Sequence, residues 1–133
     1  MITAVDSSVL LDVLSGDRVH GPHSAAALRQ AAADGALVAS SVVWAETVGA
    51  YDDPKAVEAR LDRLDLQLLP DDRDVALAAG RAYRAYRTAG GTRHRILPDF
   101  LIGAHAFVHA DRLLTRDRGF YRSQFARMTI LEP

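Results

Sequence analysis

Four acidic side chains lie within or next to apolar segments of the sequence. Asp6 and Asp117 each follow a short apolar run. Asp99 opens a long apolar segment, and Glu46 is the only acid within another. Because no cysteine and no convergent histidines accompany them, these carboxylates would form a hard-oxygen site of the kind that Mg²⁺ or Mn²⁺ prefers. Such a metal orients a phosphodiester, neutralises developing negative charge and generates hydroxide from bound water.

Each of these acids also has a purely structural interpretation. Asp6 and Asp99 stand at the start of helical patterns, where their side chains could cap the first turn by accepting hydrogen bonds from backbone amides. Asp117 could be a turn aspartate paired with a neighbouring arginine, and Glu46 could emerge at the edge of its helix. Gathered together without a cation, by contrast, the four carboxylates would repel one another, which would raise the pKa of one or more of them.

Alternating strand and helix patterns must position the acids. Short apolar runs predict five strands, at Ile2–Val5, Ala36–Ala39, Leu66–Leu69, Arg112–Thr115 and Met128–Leu131. Cap residues, prolines and glycines delimit the helices, which are predicted at 7–14, 23–33, from 40 or 41 to about 51, 53–64, from 71 or 72 to about 88, and 99–110. This alternation indicates an α/β fold, in which a parallel sheet of four to five strands carries helices on both faces.

In a sheet of this kind, binding sites form at the carboxyl ends of the strands and at the adjoining helix N-termini. The rule selects Asp6 after the first strand, Ser40 and Ser41 after the second, and the corner 115–117 after the fourth. Asp99 lies at a helix start on the same edge. Three of the four acids are therefore expected at the functional edge before any chemistry is considered.

Length and composition fit one domain, spanning residues 1–133. The chain has 133 residues and no cysteine, which excludes zinc–thiolate sites, redox motifs and a cysteine nucleophile. No apolar stretch has membrane length and the first residues lack signal-peptide anatomy, so a cytoplasmic protein is expected.

The formal net charge of −1 conceals a division: residues 1–74 hold thirteen acids and six cations, whereas 75–127 hold ten arginines and three acids. The basic half is a candidate surface for a polyanion.

Three segments carry a family resemblance. They are Val-Asp-Ser-Ser-Val-Leu-Leu-Asp at 5–12, Pro-Asp-Phe-Leu-Ile-Gly-Ala-His-Ala at 98–106 and Leu-Thr-Arg-Asp-Arg-Gly-Phe at 114–120. Together with Glu46 in its helix, these segments resemble PIN-domain ribonucleases and, more narrowly, the VapC-type toxins of type II toxin–antitoxin modules. The resemblance covers the whole chain in length, in the order of elements and in the spacing of the acids.

The resemblance implies a PIN-like three-layer sandwich and an Mg²⁺- or Mn²⁺-dependent endoribonuclease. It also implies a homodimer that a cognate antitoxin inhibits. It marks four metal-binding acids and two polar neighbours as the site: Asp6, Glu46, Asp99, Asp117, Ser8 and Thr115. We expect the three aspartates to hold the metal, while the glutamate holds a second ion or orients the water. Hydrolysis would then be in-line attack of metal-activated water on phosphorus.

Arginines close to the acids are the candidate RNA contacts. They lie in the loop before the third acid or on either side of the fourth, and they are Arg93, Arg95, Arg116 and Arg118. Arginine suits this role because its guanidinium binds phosphate at two points. A further series, spaced by three along one helix, comprises Arg81, Arg84 and Arg87. This series either contacts RNA or forms a solvated helix face, and the sequence leaves both interpretations open.

Other sites and functions have weaker support. His105 and His109 have the spacing of a zinc clamp, but the helical geometry turns them away from Asp99. No glycine-rich phosphate loop is present, so a nucleotide cofactor is not expected. Two alternative functions stay open: a PIN-like nuclease of RNA processing that has no antitoxin, and a non-catalytic α/β module that binds RNA or protein through its basic half.

Overall fold

Strands and helices alternate along the chain, and the computed structural model describes all 133 residues. The five strands are β1 (Ile2–Val5), β2 (Ala36–Ala39), β3 (Leu66–Leu68), β4 (Arg112–Leu114) and β5 (Thr129–Leu131). The seven helices are α1 (Ser7–Ser15), α2 (Gly21–Asp34), α3 (Ser41–Gly49), α4 (Pro54–Arg63), α5 (Arg73–Thr88), α6 (Pro98–His109) and α7 (Arg118–Gln124). Side chains of Ser40, Asp53 and Asp72 cap α3, α4 and α5, so these helices begin where their N-cap residues dictate.

The strands form one parallel sheet in the order β3-β2-β1-β4-β5. From β1 the chain moves outward through β2 to β3, crosses back to β4 on the other side of β1, and continues to β5. Because parallel crossovers are right-handed, this reversal places α1–α4 on one face of the sheet and α5–α7 on the other. The chain thus leaves β1 and β4 in opposite directions, and parallel α/β proteins bind ligands at the carboxyl ends of strands at such a switch point.

The central strands are buried between the two helical layers. Residues 4–5, 37–39 and 113–114 are at most 3% exposed. Phe100 and Tyr121 are the largest fully buried side chains, and they fill the layer of α6 and α7. Gly103 on α6 lies against the ring of Phe125, and a Cβ atom there would come within 2.3 Å of it. The small residue therefore lets α6 pack closely against the end of α7.

The α/β class and the parallel sheet that the sequence predicts are confirmed, with five strands close to their expected bounds. Helix α7 is an addition, because Arg116 to Gly119 has the composition of a turn and gives no helical signal. Thr115 lies one residue beyond β4 instead of within it. None of the helices combines the length and the apolar character needed to cross a membrane.

Candidate active site

Asp6 lies at the switch point, directly after β1. Its backbone N–H donates to the carbonyl of Leu114 at 2.9 Å, which continues the pairing of β1 with β4 by one residue. Its side chain is buried, and Oδ2 accepts hydrogen bonds from the hydroxyls of Thr115 at 2.6 Å and Ser8 at 3.2 Å. Burial raises the pKa of Asp6; the hydroxyl bonds oppose the rise and the charge of Asp117 adds to it. Both polar neighbours named from the resemblance thus touch this carboxylate.

Asp117 is brought to Asp6 by the short segment that follows β4. The Asp117 N–H donates to Thr115 Oγ1 at 2.9 Å, so one hydroxyl contacts both aspartates. Between them, the N–H of Arg116 donates to Ser8 Oγ at 3.3 Å. The segment 115–117 therefore lies against the start of α1.

Glu46 approaches the aspartates from α3 at an exposed rim. Ser7 Oγ lies 3.4 Å from both Glu46 Oε1 and Asp6 Oδ1, so this hydroxyl stands between the two carboxylates. Partial burial raises the pKa of Glu46, and the charges of Asp6 and Asp99 raise it further. Glu46 does emerge at the edge of its helix, as its structural interpretation requires, but this edge faces the other acids.

Asp99 is the second residue of α6 and is partly buried. Burial raises its pKa, the charges of Asp6 and Asp117 raise it further, and neither a hydrogen bond nor a cation offsets them. Leu97 holds the N-cap position of the helix, so Asp99 is not the cap. The carboxylate is thus held close to two like charges without a compensating partner.

The four acids are neither neutralised nor used as helix caps. No Lys, Arg or His forms an ion pair with any of them. Asp6 and Asp117 occupy the N-cap positions of α1 and α7, yet neither side chain makes a capping hydrogen bond. Asp53 and Asp72, by contrast, do cap their helices. The capping interpretation therefore does not account for the acids at the switch point.

The chemistry of the donor set suits a hard divalent cation. All four side chains offer carboxylate oxygens, which hard divalent cations prefer as ligands. Repulsion among the acids contributes to the raised pKa values of Asp6, Glu46 and Asp99, and a bound cation would relieve this repulsion. As they stand, no three of the acids form a cluster at metal-ligand spacing. Binding an ion would therefore require the carboxylates to converge further.

Tyr121 is a neighbour of the four acids that the sequence does not reveal. It lies on α7, is fully buried, and its hydroxyl has no hydrogen-bond partner. Burial raises its pKa, and the charges of all four acids raise it further, so its hydroxyl lies within their field. Tyr121 follows Asp117 by one helical turn, a spacing that indicates a shared face only once α7 is known.

Arg93 and Arg95 are exposed in the loop before α6 and form no ion pair. Helix α5 anchors the loop: the carbonyl of Arg93 accepts from Tyr83 Oη at 2.9 Å and from Arg87 Nη1 at 3.1 Å. The N–H of Arg93 donates to Tyr86 Oη at 3.2 Å. The series at 81, 84 and 87 is exposed throughout, and its last arginine also supports the loop.

The other two candidate RNA contacts are paired with acids. Arg116 binds the buried carboxylate of Asp12 with Nε at 2.7 Å and Nη2 at 3.0 Å. Arg118 Nη1 lies 2.9 Å from Glu132 Oε2, and both side chains of this pair are exposed. Only the second pair is open enough to exchange its acid readily for another anion.

The two histidines on α6 have protein partners. His105 is buried, and its Nε2–H donates to the carbonyl of Leu69 at 2.9 Å. His109 Nε2 lies 2.7 Å from the carboxylate of Asp72. Burial lowers the pKa of His105. Packing and pairing therefore account for both imidazoles.

By its fold and its site, the protein is a parallel α/β domain whose switch point carries carboxylates without cationic partners. The sequence model of the PIN domain family matches residues 3–126. The chain therefore belongs to the PIN domain family. A search of curated proteins finds no match to its sequence.

Solved toxin–antitoxin proteins share this fold. A chain of Rickettsia felis VapBC2, solved on a DNA fragment from its promoter, aligns with a TM-score of 0.74 and 17% identity, covering 99% of this chain and 98% of that one. VapBC-1 from nontypeable Haemophilus influenzae gives 0.73 and 16%, with the same coverage. Mycobacterium tuberculosis VapC20, described as a sarcin–ricin loop cleaving toxin, gives 0.66 and 13%, covering 98% and 99%. At these identities the likeness establishes the fold.

Proposed function

We propose that this PIN-domain protein is an Mg²⁺- or Mn²⁺-dependent endoribonuclease. One observation carries the proposal: four acids at the switch point lie close enough to repel one another, and none of them pairs with a cation. Like charges held together without compensation destabilise the fold, so such groups are typical of functional sites. Carboxylates of this kind serve metal-assisted phosphodiester hydrolysis.

In this proposal Asp6, Asp99 and Asp117 hold the metal ion. When bound, the ion neutralises charge that develops on the phosphodiester and increases the acidity of a bound water. Thr115 and Ser8 both donate to Oδ2 of Asp6, so these hydroxyls fix the orientation of the carboxylate. Its Oδ1 has only the long contact with a serine hydroxyl at 3.4 Å and is the freer ligand.

Glu46 is proposed to hold a second ion or to orient the attacking water. Its exposed position at the rim gives water access to the carboxylate. Its raised pKa brings the carboxylate closer to neutral pH, where a group that accepts a proton is most effective. Attack in line with the departing oxygen would then hydrolyse the phosphodiester.

The RNA backbone is proposed to reach the acids along the loop that carries Arg93 and Arg95. Both guanidiniums are unpaired, and hydrogen bonds from α5 hold the backbone of Arg93 in place. Because its backbone is anchored, Arg93 loses less conformational freedom when it binds phosphate. Arg118 joins this surface by exchanging Glu132 for a phosphate, since an exposed ion pair contributes little stability.

We further propose that the protein is the toxin of a toxin–antitoxin pair and assembles as a homodimer. Structural neighbours from R. felis and H. influenzae were solved as VapBC proteins, which supports an antitoxin partner. Expression of the protein alone is expected to arrest bacterial growth, and co-expression with the product of the adjacent reading frame to restore it. Cleavage of RNA without growth arrest would favour the RNA-processing alternative instead.

The nuclease proposal is tested by incubating purified protein with labelled RNAs in Mg²⁺, Mn²⁺ or chelator. We expect cleavage with either metal, none with chelator, and a loss of about 100-fold or more in Asp6→Asn. Asp62→Asn, which changes an exposed acid on α4, serves as the matched control. If Asp6→Asn cleaves RNA as fast as this control, the catalytic assignment of Asp6 fails. If the wild type cleaves no RNA with either metal, the non-catalytic binding module is favoured.

A further inference from the structure

Asp12 is a buried carboxylate outside the group of four acids. It lies on α1, is 4% exposed and accepts two hydrogen bonds from the guanidinium of Arg116, at 2.7 and 3.0 Å. Ser24 Oγ on α2 donates a third, at 2.7 Å. A carboxylate is tolerated inside a protein only with such partners, and the two-point contact fixes the guanidinium in orientation as well as in position. Arg116 is therefore tied firmly to α1.

Arg116 stands between the two residues of its segment that serve the site. Before it, Thr115 donates to Asp6; after it, the N–H of Asp117 donates to Thr115. Asp117 is exposed and its side chain makes no ion pair, so its place depends on the backbone of 115–117. Within this segment, Arg116 is the only residue whose side chain forms an ion pair, and its partner is Asp12.

We propose that Asp12 is a positioning residue for the four acids. Through Arg116 it holds the segment 115–117 against the start of α1, and it thereby sets the place of Asp117 relative to Asp6. What the four acids bind rests on the proposed function; the positioning itself does not. Arg116 then supports the site and is not an RNA contact, because Asp12 already occupies its guanidinium.

Replacing Arg116 by lysine separates these two roles. Lysine keeps the positive charge but cannot make the two-point contact. If Arg116 bound an RNA phosphate, Arg116→Lys would retain metal binding and raise only the KM for RNA. If Arg116 supports Asp117, the same variant weakens metal binding, as Asp12→Asn does.

The experiment compares Asp12→Asn and Arg116→Lys with Asp34→Asn. Asp34 pairs with Arg112 at 2.8 Å at the start of β4, so it provides a control ion pair at the end of the strand away from the four acids. Mn²⁺ affinity is measured by calorimetry, and amide hydrogen exchange at 115–117 is measured in the metal-free protein. We expect the first two variants to lose about tenfold or more in Mn²⁺ affinity and to exchange the Asp117 amide faster, whereas Asp34→Asn changes neither.

Unchanged exchange at 115–117 would overturn the positioning role, and so would a change no larger than that of Asp34→Asn. Thermal unfolding checks that each variant is folded, and Arg116→Lys, which keeps its charge, carries the test if Asp12→Asn does not fold. Mn²⁺ binding and RNA cleavage by the wild-type protein test the proposed function separately. A wild type that binds Mn²⁺ but does not cleave RNA removes the nuclease assignment and leaves the positioning role to be decided by exchange.

Discussion

Thr115 Oγ1 donates a 2.6 Å hydrogen bond to Asp6 Oδ2, and this bond joins residues 109 positions apart in the sequence. It forms because β1 and β4 are neighbours in the sheet and end at the same level. The same hydroxyl accepts from the N–H of Asp117, so a single threonine contacts the carboxylate of Asp6 and the backbone of Asp117. The reversal of the chain at the switch point thus determines which carboxylates meet.

Removing the charge of Asp99 is expected to stabilise the metal-free protein at neutral pH. The pKa of Asp99 is raised above its usual value of 3.8. A raised carboxyl pKa contributes stability below the unfolded value, near 4, and that contribution is lost as the pH rises through the folded pKa. Asp99→Asn should therefore unfold at higher urea concentration than wild type at pH 7, and the difference should shrink toward pH 4.

Urea unfolding in chelator between pH 4 and pH 7 measures this difference. Asp62→Asn, an exposed acid on α4, is the control and should show no such trend. A stability difference for Asp99→Asn that is absent, reversed or independent of pH would contradict the account of its electrostatics.

Tyr121→Phe is expected to stabilise the fold by roughly 1 kcal/mol. The buried hydroxyl of Tyr121 loses its hydrogen bonds to water on folding and gains no partner in the protein. Tyr83→Phe is the matched control, since Tyr83 Oη donates to the carbonyl of Arg93 at 2.9 Å. Loss of this hydrogen bond in Tyr83→Phe should destabilise the protein by about 1 kcal/mol. Urea unfolding distinguishes the two, and a Tyr121→Phe variant less stable than wild type would show that the hydroxyl has a partner.

Two glycines in helices should respond to alanine in opposite directions. A Cβ at Gly103 would come within 2.3 Å of the Phe125 ring, so Gly103→Ala is expected to destabilise the protein by about 1–3 kcal/mol. A Cβ at Gly80, within α5, meets nothing within 4 Å, so Gly80→Ala should stabilise it by about 0.5–1 kcal/mol. Calorimetric unfolding checks both. A neutral Gly103→Ala would show that the Phe125 ring can move aside at little cost.

The loop arginines are expected to control RNA binding more than turnover. Replacing Arg93 and Arg95 by glutamine should raise the KM and leave kcat nearly unchanged. It should also reduce the salt slope of binding by about 0.7 for each phosphate that is no longer neutralised. Filter binding across a range of salt concentrations measures the slope. Arg127→Gln, at an exposed position ahead of β5, is the control. Equal salt slopes in the double variant and the control would contradict the proposal that this loop contacts RNA.

Much of the fold could be predicted because its signals are local. Prolines, glycines and cap residues such as Ser40 and Asp72 mark the helix starts, and four-residue apolar runs mark the strands. The position of Asp6 at a strand end follows from the same local pattern. Helix α7 could not be predicted because it has only seven residues and Gly119, a poor helix former, lies in its first turn.

The unpredicted parts of the site depend on contacts between distant segments. Asp12 and Arg116 are 104 positions apart, and nothing in either neighbourhood indicates that they pair. Tyr121 is brought under the acids by α7, and the loop before α6 is anchored by tyrosines on α5. Such side-chain contacts follow from packing, which local sequence patterns do not encode.

The most direct test of the central claim is anomalous diffraction from a crystal of the wild-type protein soaked in Mn²⁺. We predict a manganese peak among the carboxylates of Asp6, Asp99 and Asp117, and no peak there in Asp99→Asn. A peak elsewhere, or no peak in a protein that still cleaves RNA in chelator, would contradict the assignment of these acids as a metal site.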